Sequence, residues 1–152
     1  LALVITHSYL YTTGERTKPG DRHNPKNYRE FTNTNDGEDI WHKCIKKHKN
    51  IIAVFSGHHI PENIAYRFDQ GEKGNIIFQS FQNWQCAPYG GDGRFRLMTF
   101  DINNRCITLK TYNPNTDEFE TLPGYELTIP FDHEMGIKHD LVSFSEIKEL
   151  VK

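Results

Sequence analysis

"DGEDIWHKCIKKHKNIIAVFSGHH", residues 36–59, decides how the chain is read. Asp36 is an N-cap residue with Asp39 three positions on, the spacing of a capping box. Ile40, Trp41, Cys44 and Ile45 then recur on one helical face, so a short amphipathic helix is expected over 37–48. The run "IIAVF" (51–55) is apolar throughout and closes on Ser56-Gly57, the pattern of a strand covered on both faces. Upstream, the apolar run over 2–6 has the same character and ends on His7. A helix between two buried strands is the unit that builds parallel sheet. The expected fold class is therefore α/β.

Beyond residue 62 the pattern changes. "NIAYRFD" (63–69), "NIIFQSFQNWQ" (75–85), "RFRLMTFDI" (94–102) and "CITLKTYN" (106–113) alternate or are β-rich, and turn residues separate them. An antiparallel meander is expected there, with a further strand at 125–131 and a short terminal helix at 143–151. Trp84, Tyr89, Phe95, Phe100 and Tyr112 are expected in its core rather than on a stacking platform. "YGGDG" (89–93) lacks the Lys-Ser/Thr of a phosphate loop and reads as a turn.

The chain of 152 residues is long enough for one domain with a core. Its net charge of −2 gives no global attraction to nucleic acid or to an anionic membrane. No apolar stretch approaches the roughly 20 residues that span a bilayer. Cys44, Cys86 and Cys106 cannot all pair within the chain, and none stands in a C-x-x-C spacing, so neither a zinc knot nor a disulfide framework is expected. The compartment is left open.

The chemistry centres on histidine. His7 follows one apolar strand, and His58 follows the other through Gly57, which admits close backbone approach. Ligands of parallel sheets bind beyond the carboxyl ends of the strands, where two imidazoles delivered side by side suit a metal ion. Residues 11–35 form a long polar loop directly after His7, placed to border such a site. Asp132-His133-Glu134 and His139-Asp140 are read as solvated tail residues.

"VITHSYL" (4–10) followed by "DIWHKCIKKHKNIIAVFSGHH" (39–59) resembles the last two motif blocks of the calcineurin-like metallophosphoesterases. In that resemblance His7 matches the lone strand-end histidine and Gly57-His58 opens the final Gly-His block. The β-rich stretch that follows resembles the extension found in bacterial members. The resemblance implies that residues 1–62 are the C-terminal part of the enzyme core, 63–122 an antiparallel β extension of the same domain, and 123–152 a tail with strand and helix. It implies a strand–helix–strand portion of the family's sandwich, metal-dependent phosphoester hydrolysis, and two divalent ions (Mn, Fe or Zn) with His7 and His58 as ligands. Arg16, Lys18, Arg22 and His23 are candidate phosphate contacts from the loop, and His59 is placed on the rim.

The family's first three blocks have no counterpart, and its second histidine of the final block falls at Ile60. Asp21-Arg22-His23 fits an Asp-x-His block but sits in the loop after His7, out of order. As residues 1–152 the site is half a site. The partners implied are a phosphoester substrate and the missing N-terminal half of the domain or a second copy, with no nucleic-acid scaffold role and no membrane segment. The alternative is a non-catalytic β-rich binding module whose histidines are structural or hold a single metal.

Overall fold

Nine strands and one α-helix are found among the described residues of the computed structural model, which are 1–60, 64–132 and 136–137. The strands are β1 (Ala2–Ile5), β2 (Ile51–Ser56), β3 (Ile64–Gln70), β4 (Ile76–Gln82), β5 (Phe95–Asp101), β6 (Cys106–Asn113), β7 (Glu118–Glu120), β8 (Glu126–Asp132) and β9 (Gly136–Ile137). The helix, α1, is Gly37–Lys43.

The expected α/β class is thereby corrected: the chain is mostly β-sheet, and the family's strand–helix–strand sandwich is not what it forms. Two causes can be named. The helix is seven residues long, because Cys44 leaves helical geometry (φ −133°, ψ −68°) and a 3-10 turn at Ile45–Lys47 takes the chain on to β2. The strands after residue 63 also do not stand apart. β4 pairs in parallel with β2 and antiparallel with β3, so the first sheet runs β1–β2–β4–β3, with β1 parallel to β2.

A second sheet is formed by β5, β6 and β8, all antiparallel, with β7 extending the β8 side of β6. The two-residue β9 pairs with both β8 and the start of β4 and joins the sheets at one corner. The possible terminal helix at 143–151 lies outside the described residues.

Alternation along the strands decides the layering. Ala53 and Phe78 face the second sheet and pack with Ile107, Leu109, Ile129 and Phe131. Val54, Ile77 and Phe81 face the other way, onto Tyr9, Leu10, Trp41 and Ile45. β2 is buried over nearly its whole length, but β1 alternates, with Leu1 60%, Leu3 37% and Ile5 84% exposed. Among the described residues β1 stands at the end of the sheet order, hydrogen-bonded to β2 alone. The aromatic set read as core is partly outside: Tyr89 is 92% exposed and Phe95 42%. β5 is the far edge strand, and its Phe95, Leu97, Thr99 and Phe100 are exposed.

The segment after β1 is tightly built. Residues 9–17 double back, with Tyr11 N–H on Glu15 O (2.6 Å) and Thr17 N–H on Tyr9 O (2.8 Å). Arg16 turns inward over the Trp41 ring (4.4 Å), donating to Glu38 (3.1 Å), Asp69 (2.7 Å) and Gln79 (2.9 Å). Gly37 is seated against this turn. A Cβ there would stand 2.8 Å from Thr17 N and closer still to the Tyr9 carbonyl, so only glycine fits without a shift.

Candidate functional site

β1 and β2 run parallel with Ile5 opposite Phe55, so both end at the same edge of the sheet. Gly57 N–H donates to His7 O (3.0 Å) and carries that register one step further. A Cβ at Gly57 would meet Gln82 O at 3.0 Å, which marks how closely β4's end crowds this point. His58 then takes φ +76°, a conformation that costs a non-glycine residue on the order of 1 kcal/mol or more and that collects at functional sites. The result is that the His7 and His58 rings meet, centroids 4.4 Å apart and tilted by 52°.

The loop supplies a second layer. Asn24 is fully buried. Its side chain accepts from Lys26 N–H (2.8 Å) and donates to Asp36 (3.3 Å), pinning the loop to the start of α1. Lys26 adds ion pairs to Asp36 (3.1 Å) and Asp39. This bracing brings the His23 ring to 6.2 Å from the His58 ring, edge on. It also sets the Tyr28 hydroxyl 2.7 Å from His58 Nε2.

His59 points elsewhere. It is 1% exposed, with Nε2 3.0 Å from Ser8 Oγ, its ring near Phe81 and Tyr11, and its Nδ1 without a hydrogen-bond partner among the described residues. Burial, with the neighbouring charges of His58 and His23, lowers its pKa from 6.5 to about 4. Burial, then His7 and His23, lower that of His58 as well. Both imidazoles are thus disposed to stay neutral at neutral pH, the form in which histidine binds a metal.

The structure brings together His7, His58 and His23. It leaves Arg22 exposed and Lys18 exposed beside Glu15 (2.7 Å), and turns Arg16 into the protein. His59 lies in the interior rather than on the rim, because the φ of His58 folds the chain back toward Ser8. Ile60 is exposed. His133, Glu134, His139 and Asp140 lie outside the described residues. Tyr28 and Ser8, which sequence reasoning missed, carried little signal: one is a single tyrosine in a polar loop, the other only the neighbour of His7.

Among the described residues, no group of three or more His, Cys, Asp and Glu side chains stands so as to hold a metal ion. The paired imidazoles have the right chemistry, yet they are two donors where a closed zinc site uses four. They fit as part of a shell.

No family model matches the chain, and no solved structure matches it. It is similar to a Bacillus subtilis (strain 168) protein described as "Uncharacterized protein YvnB", 26% identical over 118 residues. That match covers 75% of this chain and 8% of the relative, so the chain spans less than a tenth of the relative's length.

Proposed function

We propose that this chain is a portion of a metal-dependent phosphoester hydrolase of the calcineurin-like kind, contributing His7 and His58 to a site whose remaining ligands come from polypeptide beyond residues 1–152. The observation that carries this reading is the ring contact of the two histidines at the shared end of parallel strands β1 and β2. The uncovered apolar face of β1 supports it, since Leu1, Leu3 and Ile5 lead along the same side of the strand to the exposed His7.

When bound, the two divalent ions of such an enzyme supply an activated water and offset charge on the phosphate. The work of this chain is to hold two imidazoles at fixed separation, with the sheet setting their backbones and the loop closing over His58. His23, its ring 6.2 Å from that of His58, is the loop side chain that is the candidate to face the phosphoester.

The second reading, a non-catalytic module, is favoured by one observation: His59, the neighbour of His58, is consumed in a buried contact with Ser8. The two readings separate on turnover. In a longer polypeptide that carries these residues together with the remaining ligands, hydrolysis of p-nitrophenyl phosphate in Mn²⁺ is expected, and the His58→Ala variant is expected to lose it along with part of its bound metal by elemental analysis. No hydrolysis, or hydrolysis unchanged in His58→Ala, would sink the hydrolase reading and leave the module.

A further inference from the structure

Four arginines are buried or half-buried among the described residues, and three of them are paired with carboxylates. Arg16 meets Glu38 (3.1 Å) and Asp69 (2.7 Å), Arg67 meets Asp69 (2.6 Å), and Arg94 meets Glu120 and Asp92 (3.4 Å). Arg96 is the exception. From β5 it reaches across to the first sheet, donating to Ser80 Oγ on β4 (3.1 Å) and to the carbonyl of Gly124 (2.5 Å). Among the described residues no carboxylate stands within ion-pair distance of it, and its Nε–H has no hydrogen-bond partner. Burial pulls its pKa from 12.5 down to about 10, against only the Tyr125 and Tyr66 hydroxyls. The guanidinium is thus charged at neutral pH, with no group of opposite sign beside it among the described residues.

A charge taken out of water costs free energy unless it is paired, and an orphaned buried donor marks a place where an ion or a water completes the structure. We propose that Arg96 anchors a binding site for a small anion, whose carboxylate or phosphate oxygens take the N–H groups that the protein leaves over. A guanidinium carries five N–H donors in a planar fork that matches either head group. Ser80 and Gly124 use two of them, and the Nε–H is enclosed, which leaves Nη hydrogens for the ligand. The surroundings are neutral. Ser80 is fully buried with Tyr66 opposite it on β3, and the Trp84 indole N–H donates to the Tyr125 hydroxyl (3.4 Å). Ser80 stands two residues before the end of β4, and Arg96, Gln82 and Trp84 are half-buried rather than enclosed, so the ligand enters by the edge at which β2 and β4 end. The site depends neither on the histidines nor on the hydrolase reading and goes beyond both.

The test is ¹H–¹⁵N NMR of the full 152-residue chain, titrated separately with sodium acetate and with sodium phosphate at an ionic strength held constant with sodium chloride. The Arg96 Nε–H signal is expected to move and saturate with at least one of them, and the Trp84 indole N–H to move with it. The Nε–H of Arg67, held by Asp69, is the internal control and is expected to stay in place. The salt that saturates at the lower concentration identifies the head group as carboxylate or phosphate. In Arg96→Met the affinity read at Trp84 should fall about tenfold or more. An Arg96 signal that neither salt moves, a drift shared equally with Arg67, or a Trp84 response unchanged in Arg96→Met overturns the site. Should Arg96→Met not fold, the wild-type titration decides alone. None of these readouts involves turnover or metal, so the hydrolase reading stands or falls separately.

Discussion

His58 and His59 are sequence neighbours with opposite fates, and the difference is one backbone angle. The positive φ of His58 keeps its ring against His7 and sends His59 under the loop to Ser8. His7 and His58 were legible because each closes an apolar run. The burial of His59 was not, because nothing in "GHH" reports a φ. A pH dependence follows. An unfolded imidazole takes its proton near 6.5 and the folded His59 only near 4, so between these values the unfolded state binds more protons. Stability is therefore complete above pH 6.5 and declines as pH falls toward 4, by up to about 3 kcal/mol. Urea midpoints of the metal-free chain at pH 7, 5.5 and 4.5 check this. His59→Asn is expected to flatten the upper part of the decline, and a wild-type midpoint constant from pH 7 to 4.5 would contradict the assignment.

At the scale of elements, the start of α1 was readable and its end was not. The capping box forms in full, with Asp36 accepting from Asp39 N–H (2.9 Å) and Asp39 reaching back to Asp36 N–H (3.4 Å). Ile45 keeps its apolar face toward the core even after the helix has given way, so periodicity alone overstated the length. β1 was misread in the opposite sense. Its composition is uniformly apolar, and composition does not reveal that one side has no cover. The turn at residues 9–17 was also invisible, since part of its hold on α1 runs through backbone N–H groups: Glu38 N–H on Thr17 O (3.1 Å) and Gly37 N–H on Thr17 Oγ1 (2.7 Å). Gly37→Ala forces this contact apart and is expected to cost about 1–3 kcal/mol, as overpacking does. A denaturant midpoint unchanged from wild type would show that the turn yields easily.

Across the whole molecule, the two sheets cover each other incompletely. The core between them is closed at β2 and β4, and Leu3 and Ile5 continue its face beyond the reach of the second sheet. Exposed edges that carry large apolar side chains invite association. Ile5→Lys is expected to leave the stability of the isolated chain within about 0.5 kcal/mol and to reduce self-association, read by denaturant melts and sedimentation. A large loss of stability would mean that Ile5 is covered in solution after all. The mostly-β class escaped the sequence because helix, strand and turn signals are local, whereas the pairing of β4 with β2 that merges the two halves is not.

The inward-turned Arg16 bears on how such a chain acquires its structure. Its bonds to Asp69 and Gln79 close separations of 53 and 63 residues, and the Tyr9 hydroxyl reaches Gln79 across 70. Long closures are entropically expensive and are met late, whereas β3 and β4 are joined by a five-residue turn and pair locally. The hairpin is thus the piece that forms first, β2 lies down on it, and the histidine edge is assembled last. In pulse-labelled hydrogen exchange the amides of β3 and β4 should gain protection before those of β1, and the reverse order would refute the sequence of events. In that order the contact between His7 and His58 belongs to the slowest step of folding.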